Sequence, residues 1–566
     1  MELLINGKVC VPKADQSLLE LIQEIGLDSP LLSQRPLAAK IAGEVFSLNY
    51  IPIRRKDANQ DRISIRRAMA ASQGKIQLLY YDDPVGRDVY IRTAQFVLFM
   101  ALHRLVPKAR AKINCTVGNT LFIEVTGAEN FSVESLKNEI QKLQHQNLSL
   151  IRRRVSTNEA LSWFLNNGRE DKAKLLSWRK EEYFDLYSIE DFADYYYGEL
   201  LPSTGYLQVW DIQPTDGGFF FIYPDQNFPD QVASYIEMPK FLSVSTEGKR
   251  WCEVLECETV SDLNALVETG KIRELIRVNE ALHEKQFAKA ADQICQRGAK
   301  VVLLAGPSSS GKTTSANRLA TQLRVHGKKP VLMSLDDYYI DRDKILPGAD
   351  GKIDLEHINT IDTKLFCDHI QTLLDGGAVE LPSFNFITAR REFRGNFLTF
   401  HKNTVVIVEG LHALNPVLLP ENIDKHLIFR MYVSPLLPIC MDDHNRIASS
   451  LLRLLRRIVR DYETRGASVA KTIEMLDSVR RGEKRWIFPF QENADMFFNS
   501  ATLYELPVLK KHIYPLLAEI EPEDACYESA RGIVKILNYV LQADVDDEIP
   551  PTSLVREFIG GNTFYK

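Results

Sequence analysis

Residues 300–323 contain the feature that most constrains how this chain folds. An apolar, β-rich run at 301–305 precedes the loop sequence GPSSSGKT at 306–313, and a helix-forming run follows it. The glycines at the two ends of the loop allow tight backbone turns, so that successive N–H groups and a helix N-terminus face one point. Such a point is suited to phosphate oxygens. The order of strand, loop and helix therefore predicts a P-loop in an α/β sheet that binds a nucleoside triphosphate.

Each polar group of this loop has a use in phosphate chemistry. Lys312 adds a full positive charge between the outer phosphates, and the Thr313 hydroxyl is a suitable ligand for Mg²⁺. We expect the triphosphate to be bound by the loop and the first helical residues, namely Gly306, Pro307, Ser308, Ser309, Ser310, Gly311, Lys312, Thr313 and Thr314.

Two further buried-strand patterns end in carboxylates. The run at 330–335 is followed by Asp336 and Asp337, and the run at 404–408 is followed by Glu409. Ligands of open α/β sheets lie beyond the carboxyl ends of the strands, so both acids are expected near the bound phosphates. Asp336 is predicted to act as a general base toward an incoming hydroxyl, and Glu409 to reach Mg²⁺ directly or through water. For each acid taken alone, a solvated loop carboxylate is the alternative.

A segment rich in arginine follows later in the chain. Arg453, Arg456, Arg457 and Arg460 recur at steps of three and four residues, which places them on neighbouring parts of a helix surface. The planar guanidinium group binds phosphate oxygens in pairs and stays charged at any working pH. We expect a lid over the transferring phosphates, with some of these arginines serving only a structural role. A solvated basic helix face is the alternative.

Residues 298–515 resemble the uridine kinase and phosphoribulokinase group of P-loop kinases. The Asp-x-x-Tyr motif of these enzymes is matched by Asp336 and Tyr339, and their acidic-His segment by 356–362. The Glu-Gly pair at the end of the third strand is matched at 409–410, and an arginine motif at 456–466.

This resemblance implies a role for each matched residue and two small-molecule requirements. ATP is the implied phosphoryl donor, and Mg²⁺ is the implied cofactor, with Thr313 and Glu409 as its ligands. Asp336 is then the base for a sugar 5′-hydroxyl, and Lys312, Arg457 and Arg460 stabilise the transferring phosphoryl group. Arg465 contacts ATP, and the acceptor is contacted by Tyr339, Glu356, Phe384 and Arg457.

Several positions depart from the uridine kinase pattern. The base-recognition segment Tyr-Asp-Phe-x-x-His is replaced by FNFITA at 384–389, so both polar base contacts are missing. Glu356 replaces an Asp, and Ala467 and Met475 replace an Arg and a Gln. A site without such polar groups discriminates a base edge weakly. The acceptor is therefore left open between a nucleoside 5′-hydroxyl and another hydroxyl acceptor such as a sugar phosphate.

The first 62 residues read as a small α+β module of ubiquitin size. Asn6-Gly7 favours a hairpin turn, Ser17 can cap a helix at 18–25, and β-rich runs follow at 38–46 and 63–65. Hydrophobic periodicity then predicts helices at 93–105, 133–150, 156–167 and 271–296, and strands at 121–126, 207–210 and 219–223.

The N-terminal half carries a second resemblance. Residues 1–62 resemble a TGS domain, and residues 63–250 resemble the second additional domain of threonyl-tRNA synthetases, an editing hydrolase. The metal-type positions of that hydrolase are matched by Ile91, Gln95, Tyr196 and Leu200, so we expect its chemistry to be absent. The half would then bind a nucleotide, RNA or protein partner. The tyrosines at 195–197 could stack on a base or belong to the core.

Together these patterns predict a multidomain α/β protein. The chain begins with a TGS-like, ubiquitin-like α+β module at 1–62. An α+β domain that resembles the synthetase editing domain follows at 63–250, and a helical connector follows at 251–297. A uridine kinase-like P-loop domain with a parallel sheet at 298–515 and an extension at 516–566 follow. An NTP-gated RNA-binding or regulatory protein, with its function in the first 250 residues, is the alternative from another class.

Charge and composition exclude other functions. Lys and Arg number 69 against 75 Asp and Glu, a net charge of −6, so no bulk positive field attracts nucleic acid. The apolar run 96–102 is too short to span a bilayer, and the N-terminus does not resemble a secretion signal, so we expect a cytoplasmic protein. Eight scattered cysteines without a Cys-x-x-Cys pair indicate reduced thiols. Nothing in the sequence indicates an oligomeric state.

Overall fold

The computed structural model describes residues 2–52, 72, 74–128, 131–345, 354, 356–420, 423–521, 524 and 526–564. The β-rich run predicted at 63–65 lies outside the described residues. Among the residues that are described, no helix is long and apolar enough to cross a membrane.

In its described residues, the N-terminal module is a five-stranded sheet with a helix packed on it. Its strands are β1 (Leu3–Ile5), β2 (Lys8–Cys10), β3 (Ala38–Ile41), β4 (Glu44–Phe46) and β5 (Lys75–Leu79), and its helix is α1 (Leu18–Glu24). The predicted hairpin is present, because Asn6 and Gly7 both have positive φ between β1 and β2. Ser17 caps α1 in a capping box with Glu20, as its position predicts.

The predicted boundary at residue 62 is wrong. The strand order is β2-β1-β5-β3-β4, so the central strand comes from residues 75–79. Ile76 and Leu78 of β5 are buried in the same core as Leu3 and Ile5. The sheet therefore needs residues beyond 62 to complete its core.

A second α+β unit follows, with helices and three small sheets. Its helices are α2 (Pro84–Leu105), α3 (Val133–Gln146), α4 (Thr157–Asn166) and α5 (Glu170–Ser177). Its strands are β6 (Arg110–Val117), β7 (Thr120–Thr126), β8 (Arg152–Ser156), β9 (Tyr183–Ile189), β10 (Phe192–Asp194), β11 (Asp211–Thr215), β12 (Gly218–Ile222), β13 (Pro224–Asp225) and β14 (Phe228–Val232). The sheet orders are β11-β12-β7-β6, β10-β9-β8 and β13-β14.

Three predicted elements of this unit differ from the structure. The helix predicted at 93–105 begins at Pro84, whose missing N–H is tolerated at a helix start. The helix predicted at 133–150 ends at Gln146, because Asn147 is left-handed with φ of 47°. The segment 207–210 is not a strand, although Leu207 is buried, and β11 begins only at Asp211. Apolar residues there fill the core from a loop.

Helices join this unit to the kinase-like part. They are α6 (Pro239–Val254), α7 (Val260–Glu268) and α8 (Ile272–Arg297), so the helical segment begins before the predicted residue 251. The helix predicted at 271–296 is confirmed as α8. Arg318 of the P-loop helix forms ion pairs with Glu280 and Glu284 of α8, so the connector is packed onto the next domain.

The C-terminal half is built on a five-stranded parallel sheet in the order β16-β19-β15-β20-β21. Its strands are β15 (Val301–Ala305), β16 (Lys329–Ser334), β19 (Thr404–Glu409), β20 (Ile428–Ser434) and β21 (Met496–Asn499), and β17 (Ala378–Asn385) pairs with β18 (Arg390–Thr399) in a separate hairpin. The helices are α9 (Lys312–Val325), α10 (Thr363–Leu374), α11 (Ser449–Arg465), α12 (Val469–Glu474), α13 (Leu476–Trp486), α14 (Glu505–Ala518), α15 (Tyr527–Leu537) and α16 (Arg556–Ile559).

Both faces of this sheet are covered, which explains the unbroken apolar runs in its strands. Val302 and Leu304 of β15 pack with residues of α8 and α9, whereas Val301 and Leu303 face the side of α10. All five strands run in one direction, so their carboxyl ends meet at one edge, where the P-loop and the predicted acids lie.

The two halves of the chain share buried contacts. Lys172 of α5 forms fully buried ion pairs with Asp194, at 2.7 Å, and with Asp442 of the C-terminal half, at 2.9 Å. The imidazole ring of His444 stacks on Phe99 with the ring centroids 3.5 Å apart. The N-terminal half is therefore packed against the C-terminal half through a buried network of charged side chains.

Candidate functional site

The loop at 306–313 has the shape expected of a P-loop. Gly311 has φ of 86° and directly precedes α9. Gly306 lies so close to β20 that an added Cβ would come within 2.2 Å of the Val433 carbonyl oxygen, so no side chain fits there. The Lys312 ammonium donates to the carbonyl of Pro307 at 3.2 Å and thus folds back over the loop.

The carboxylates at the ends of β16 and β19 lie beside this lysine. The Ser334 hydroxyl donates to Glu409 Oε1 at 3.1 Å. Burial raises the pKa of Glu409 to about 7, although the positive charge of Lys312 opposes the shift. Burial likewise raises the pKa of Asp336, again against the charge of Lys312. Two partly buried carboxyl groups and one ammonium group therefore form the centre of the site.

Asp336 and its neighbour Asp337 differ in their surroundings. Asp337 Oδ1 accepts a hydrogen bond from the backbone N–H of Phe384 at 3.1 Å, which ties it to the β17–β18 hairpin. Asp336 instead shares the pocket of Lys312 and adjoins Tyr339, whose phenol pKa it helps to raise after burial. Only Asp336 faces the P-loop.

Aromatic rings line the side of the site that faces the hairpin. Tyr339 and Phe384 pack edge to face with their centroids 5.6 Å apart, and Phe384 contacts Phe386 in the same way at 5.1 Å. The replacement of the polar base contacts therefore leaves an apolar wall next to Asp336.

Three residues near Glu356 were not predicted as part of the site, namely Glu483, His412 and Trp486. Burial and the nearby charge of Glu483 raise the pKa of Glu356 to about 7, while Arg457 and Lys312 act in the opposite direction. His412 is buried, which lowers its pKa to about 4. The indole N–H of Trp486 is also buried, without a hydrogen-bond partner in the described part of the chain. His412 follows the Glu-Gly pair by two residues, a spacing that could have indicated it.

Arg456 is one of the arginines that serve a structural role, as expected for some of them, and it does not form part of a lid. This side chain is fully buried and donates two hydrogen bonds to Glu505, at 2.7 and 3.0 Å. It also donates to the carbonyl of Ser309 at 3.4 Å, so it supports the P-loop from behind. Arg453 pairs with Glu483 and donates to the carbonyl of Ser308 at 3.3 Å. These two arginines hold the loop rather than cover it.

The other three arginines of the motif share one carboxylate. Asp461 lies within ion-pair distance of Arg457, Arg460 and Arg465, at 3.3, 2.8 and 3.3 Å. Burial and the charge of Arg460 lower the pKa of Arg465, whereas the charge of Asp336 acts the other way. Three cations with one counter-ion leave net positive charge close to Asp336 and Glu356.

Comparison with known proteins places the chain in a family. Residues 301–506 match the phosphoribulokinase / uridine kinase family. The uridine kinase of Proteus mirabilis is 30% identical over 199 residues, which cover 35% of this chain and 84% of the relative. The chain belongs to the phosphoribulokinase / uridine kinase family. The uridine kinase of Vibrio atlanticus is 29% identical over 222 residues, or 38% of this chain and 95% of the relative.

Membership of this family makes the protein an ATP-dependent kinase whose acceptor is a hydroxyl group. The resemblances of residues 1–62 and 63–250 to TGS and synthetase domains stay predictions, as do the roles of the individual site residues.

The C-terminal extension of this kinase reaches the P-loop, which the sequence did not indicate. Glu557 of α16 accepts a hydrogen bond from the Thr314 hydroxyl at 2.6 Å. The side chain of Leu554 lies against Gly311, within 2.8 Å of the position that a Cβ would take. Glu483 Oε1 accepts from the backbone N–H of Ser308 at 3.1 Å. The carboxylates of Glu483 and Glu557 therefore accept hydrogen bonds from a backbone N–H and a hydroxyl group of the phosphate-binding segment.

The four synthetase-type positions of this kinase lie on neighbouring segments. Ile91 and Gln95 are on α2, and the segment that contains Tyr196 and Leu200 is joined to α2 by a hydrogen bond from Leu201 N–H to the Thr93 hydroxyl at 2.8 Å. Tyr196 and Leu200 are buried.

The tyrosines at 195–197 belong largely to the core of the kinase. The Tyr195 ring packs against Phe164 and Phe184, and its hydroxyl donates to buried Asp442. The Tyr197 ring packs edge to face against Tyr539 with the centroids 5.8 Å apart. Of the two interpretations left open by the sequence, packing in the core therefore accounts for most of this cluster.

Proposed function

We propose that this kinase transfers the γ-phosphoryl group of ATP to the 5′-hydroxyl of a nucleoside. The observation that carries the proposal is the position of Asp336. It is partly buried just after the end of β16 and beside Lys312, while Asp337 is tied to the hairpin backbone. A carboxylate in that position can take the proton of a hydroxyl that attacks the terminal phosphoryl group.

The raised pKa of Asp336 favours this role. A general base works best when its pKa is close to the working pH, because it then holds a proton strongly and is still ionised before the reaction. Burial moves the pKa of Asp336 in that direction. The ammonium of Lys312 keeps the ionised form accessible.

Thr313 and Glu409 are the proposed Mg²⁺ ligands. Carboxylate and hydroxyl oxygens are the ligands that Mg²⁺ prefers, usually together with substrate phosphates and water, so the donor set fits this ion. The buried Glu409 carboxyl group, with a pKa of about 7, would be stabilised in its ionised form by a bound cation. When bound, Mg²⁺ neutralises charge on the phosphates.

The remaining proposed roles follow from charge and shape. Lys312, Arg457 and Arg460 supply positive charge for the transferring phosphoryl group, and Arg465 supplies it for ATP. Tyr339, Glu356 and Phe384 form the acceptor side, with aromatic faces suited to a flat base and a carboxyl group suited to sugar hydroxyls.

The acceptor can be identified with one assay. The full-length protein with Mg²⁺ and ATP is offered uridine, cytidine, purine nucleosides and sugar phosphates, and the products are separated by mass. We expect a nucleoside 5′-monophosphate. A phosphorylated sugar phosphate would show that the second acceptor class left open by the sequence is correct. ATP hydrolysis without any phosphorylated acceptor would contradict the proposal.

A further inference from the structure

A cavity lies outside the kinase site, between the N-terminal half and the C-terminal extension. It has a volume of about 710 Å³, which is in the range of pockets that hold small-molecule ligands. None of the P-loop residues line it. The side chains that line it include six cationic groups: Arg92 of α2, Arg152 and Arg154 of β8, Arg179, and Arg531 and Lys535 of α15.

Three of these cations are neutralised by neighbouring carboxylates. Arg152 forms an ion pair with Glu199 at 2.6 Å, Arg154 with Asp185 at 2.9 Å, and Arg179 with Glu181 at 2.9 Å. These pairs form a polar wall with little net charge on the side of the N-terminal half.

The other three cations form no ion pair in the described part of the chain. The Arg92 guanidinium donates only to the backbone carbonyl of Glu199, at 3.1 Å. Arg531 donates to the hydroxyl of Tyr527 at 3.2 Å, and no hydrogen bond or ion pair joins Lys535 to a described residue. The lining also contains five carboxylates, those of Glu44, Glu181, Asp185, Glu199 and Glu528, against the six cations, so the cavity has a small excess of positive charge.

The backbone at Gly198 is fitted to Arg92. A Cβ at this position would come within 2.7 Å of the guanidinium carbon, so the absence of a side chain leaves the space that the Arg92 head group occupies. Burial lowers the pKa of Arg92, although the carboxylates of Asp88, Glu199 and Glu528 oppose the shift, so its charge is held in a poorly solvated position. A bound anion would stabilise a cation in such a position further.

Like charges also meet across the cavity. Burial, followed by the charges of Arg531 and Arg152, lowers the pKa of Lys535, while the charges of Glu199 and Asp185 act in the opposite direction. Arg152 comes from the N-terminal half, and Lys535 comes from the C-terminal extension. The fold thus brings repelling groups together, and a bound anion would remove this repulsion.

We propose that this cavity binds a small molecule of nucleotide size that carries a phosphate group. Guanidinium and ammonium groups that converge from several directions match the oxygens of a phosphate better than those of a single carboxylate. The rings of Tyr197 and Tyr527 in the same wall offer flat surfaces for the rest of the ligand. The cations converge in a concavity, whereas binding of a nucleic acid needs an extended basic groove.

The test measures binding of phosphate probes to the full-length protein. The Lys312→Ala variant serves as the background, because it weakens phosphate binding at the P-loop. Titration calorimetry with uridine monophosphate and with pyrophosphate should show saturable binding, and uridine at the same concentration should bind far more weakly. Lys535→Gln and Arg531→Gln should each weaken the affinity about tenfold, the usual size of a lost charge-assisted hydrogen bond.

A matched control comes from the same kind of helical surface. Lys285 of α8 is exposed and lies outside the residues that line the cavity, so Lys285→Gln should leave probe binding unchanged. Thermal unfolding checks that each variant is folded, and the side chains of Arg531 and Lys535 line the cavity and do not belong to the hydrophobic core, so their replacement should not disturb core packing. Absence of saturable binding, or binding that is insensitive to Lys535 and Arg531, would overturn the proposal. So would an RNA oligonucleotide that binds with the same dependence on these cations while the small probes do not.

Discussion

The Glu557 carboxylate, close to the C-terminus, accepts hydrogen bonds from both the backbone N–H and the hydroxyl of Thr314, at 3.3 and 2.6 Å. Thr314 belongs to the first turn of α9, and Asn562 also donates to its hydroxyl, at 3.4 Å. The N-terminus of this helix is where phosphate groups of a nucleotide are expected to bind. The carboxylate would therefore compete with a nucleotide bound there for the same donors.

The first prediction is that Glu557→Gln tightens ATP binding. Removal of a negative charge next to the phosphate site should lower the Kd for ATP several-fold, because that charge repels the phosphates and occupies their donors. Titration with ATP measures the change. Asp547→Asn, an exposed acid in the same extension, is the control and should have no effect. Weaker ATP binding in Glu557→Gln would show instead that Glu557 holds the loop in its binding shape.

The second prediction concerns the two neighbouring acids at the end of β16. Asp336→Asn should lower kcat by roughly 10²- to 10⁴-fold, the usual contribution of a general base, with little change in ATP affinity. Asp337→Asn is the matched control, since its carboxylate contacts the Phe384 backbone rather than the P-loop. Steady-state kinetics with the identified acceptor measure both. Equal losses in the two variants would show that the wrong carboxylate has been chosen.

The third prediction is a pH dependence of the Mg²⁺ requirement. Glu409 has a pKa of about 7 in the folded protein, above its ordinary value, so its carboxyl group takes up a proton as the pH falls through 7. Mg²⁺ binds the ionised form, and proton and metal compete. The apparent Mg²⁺ affinity should therefore fall by up to about tenfold per pH unit below 7 and level off above it. Turnover as a function of Mg²⁺ concentration at several pH values tests this.

Glu409→Gln provides the control for this pH effect. The side-chain amide does not titrate around pH 7. The variant should therefore bind Mg²⁺ weakly at every pH, without the steep change around 7. A wild-type Mg²⁺ requirement that does not vary with pH would contradict the assignment of Glu409 as a ligand.

Those parts of the site that depend on a local sequence pattern could be predicted from the sequence. The P-loop, β16 and β19 are local patterns, and Asp336 and Glu409 follow directly from the strand ends. Glu557 could not be predicted, because it reaches Thr314 across 243 residues and its helix has only four residues. Contacts of that range depend on how the whole extension packs.

The arginine motif shows a related limit. Its spacing indicates which side chains share a helix surface, but not which side of the helix is buried. Arg456 turned inward because Glu505 and the carbonyl of Ser500 satisfy its guanidinium in the core. In the same way, β5 lies beyond the predicted domain boundary, because strand pairing in the first sheet is decided by tertiary contacts.

The fourth prediction is that the protein does not release an amino acid from mischarged threonine tRNA. The positions that match the editing residues are Ile91, Gln95, Tyr196 and Leu200, and none of these side chains can ligate a metal as His or Cys does. The full-length protein should show no deacylation and no stoichiometric zinc by elemental analysis. Measurable release of threonine or serine, or zinc at one atom per chain, would show that the four positions were matched wrongly.

The fifth prediction concerns the coupling of the two halves through Lys172. Its ammonium is buried between Asp194 and Asp442, so Lys172→Met leaves two buried carboxylates without their shared counter-ion. Loss of one partner from a buried ionic group typically costs about 3–5 kcal/mol. We therefore expect a loss of that order in the free energy of unfolding, measured with denaturant. Lys174→Met, an exposed lysine two residues along the same helix, is the control and should change stability little.

Because the network joins both halves, their unfolding should coincide in the wild type, and two separate transitions in the variant would show that the network couples them. An unchanged stability of Lys172→Met would contradict this role.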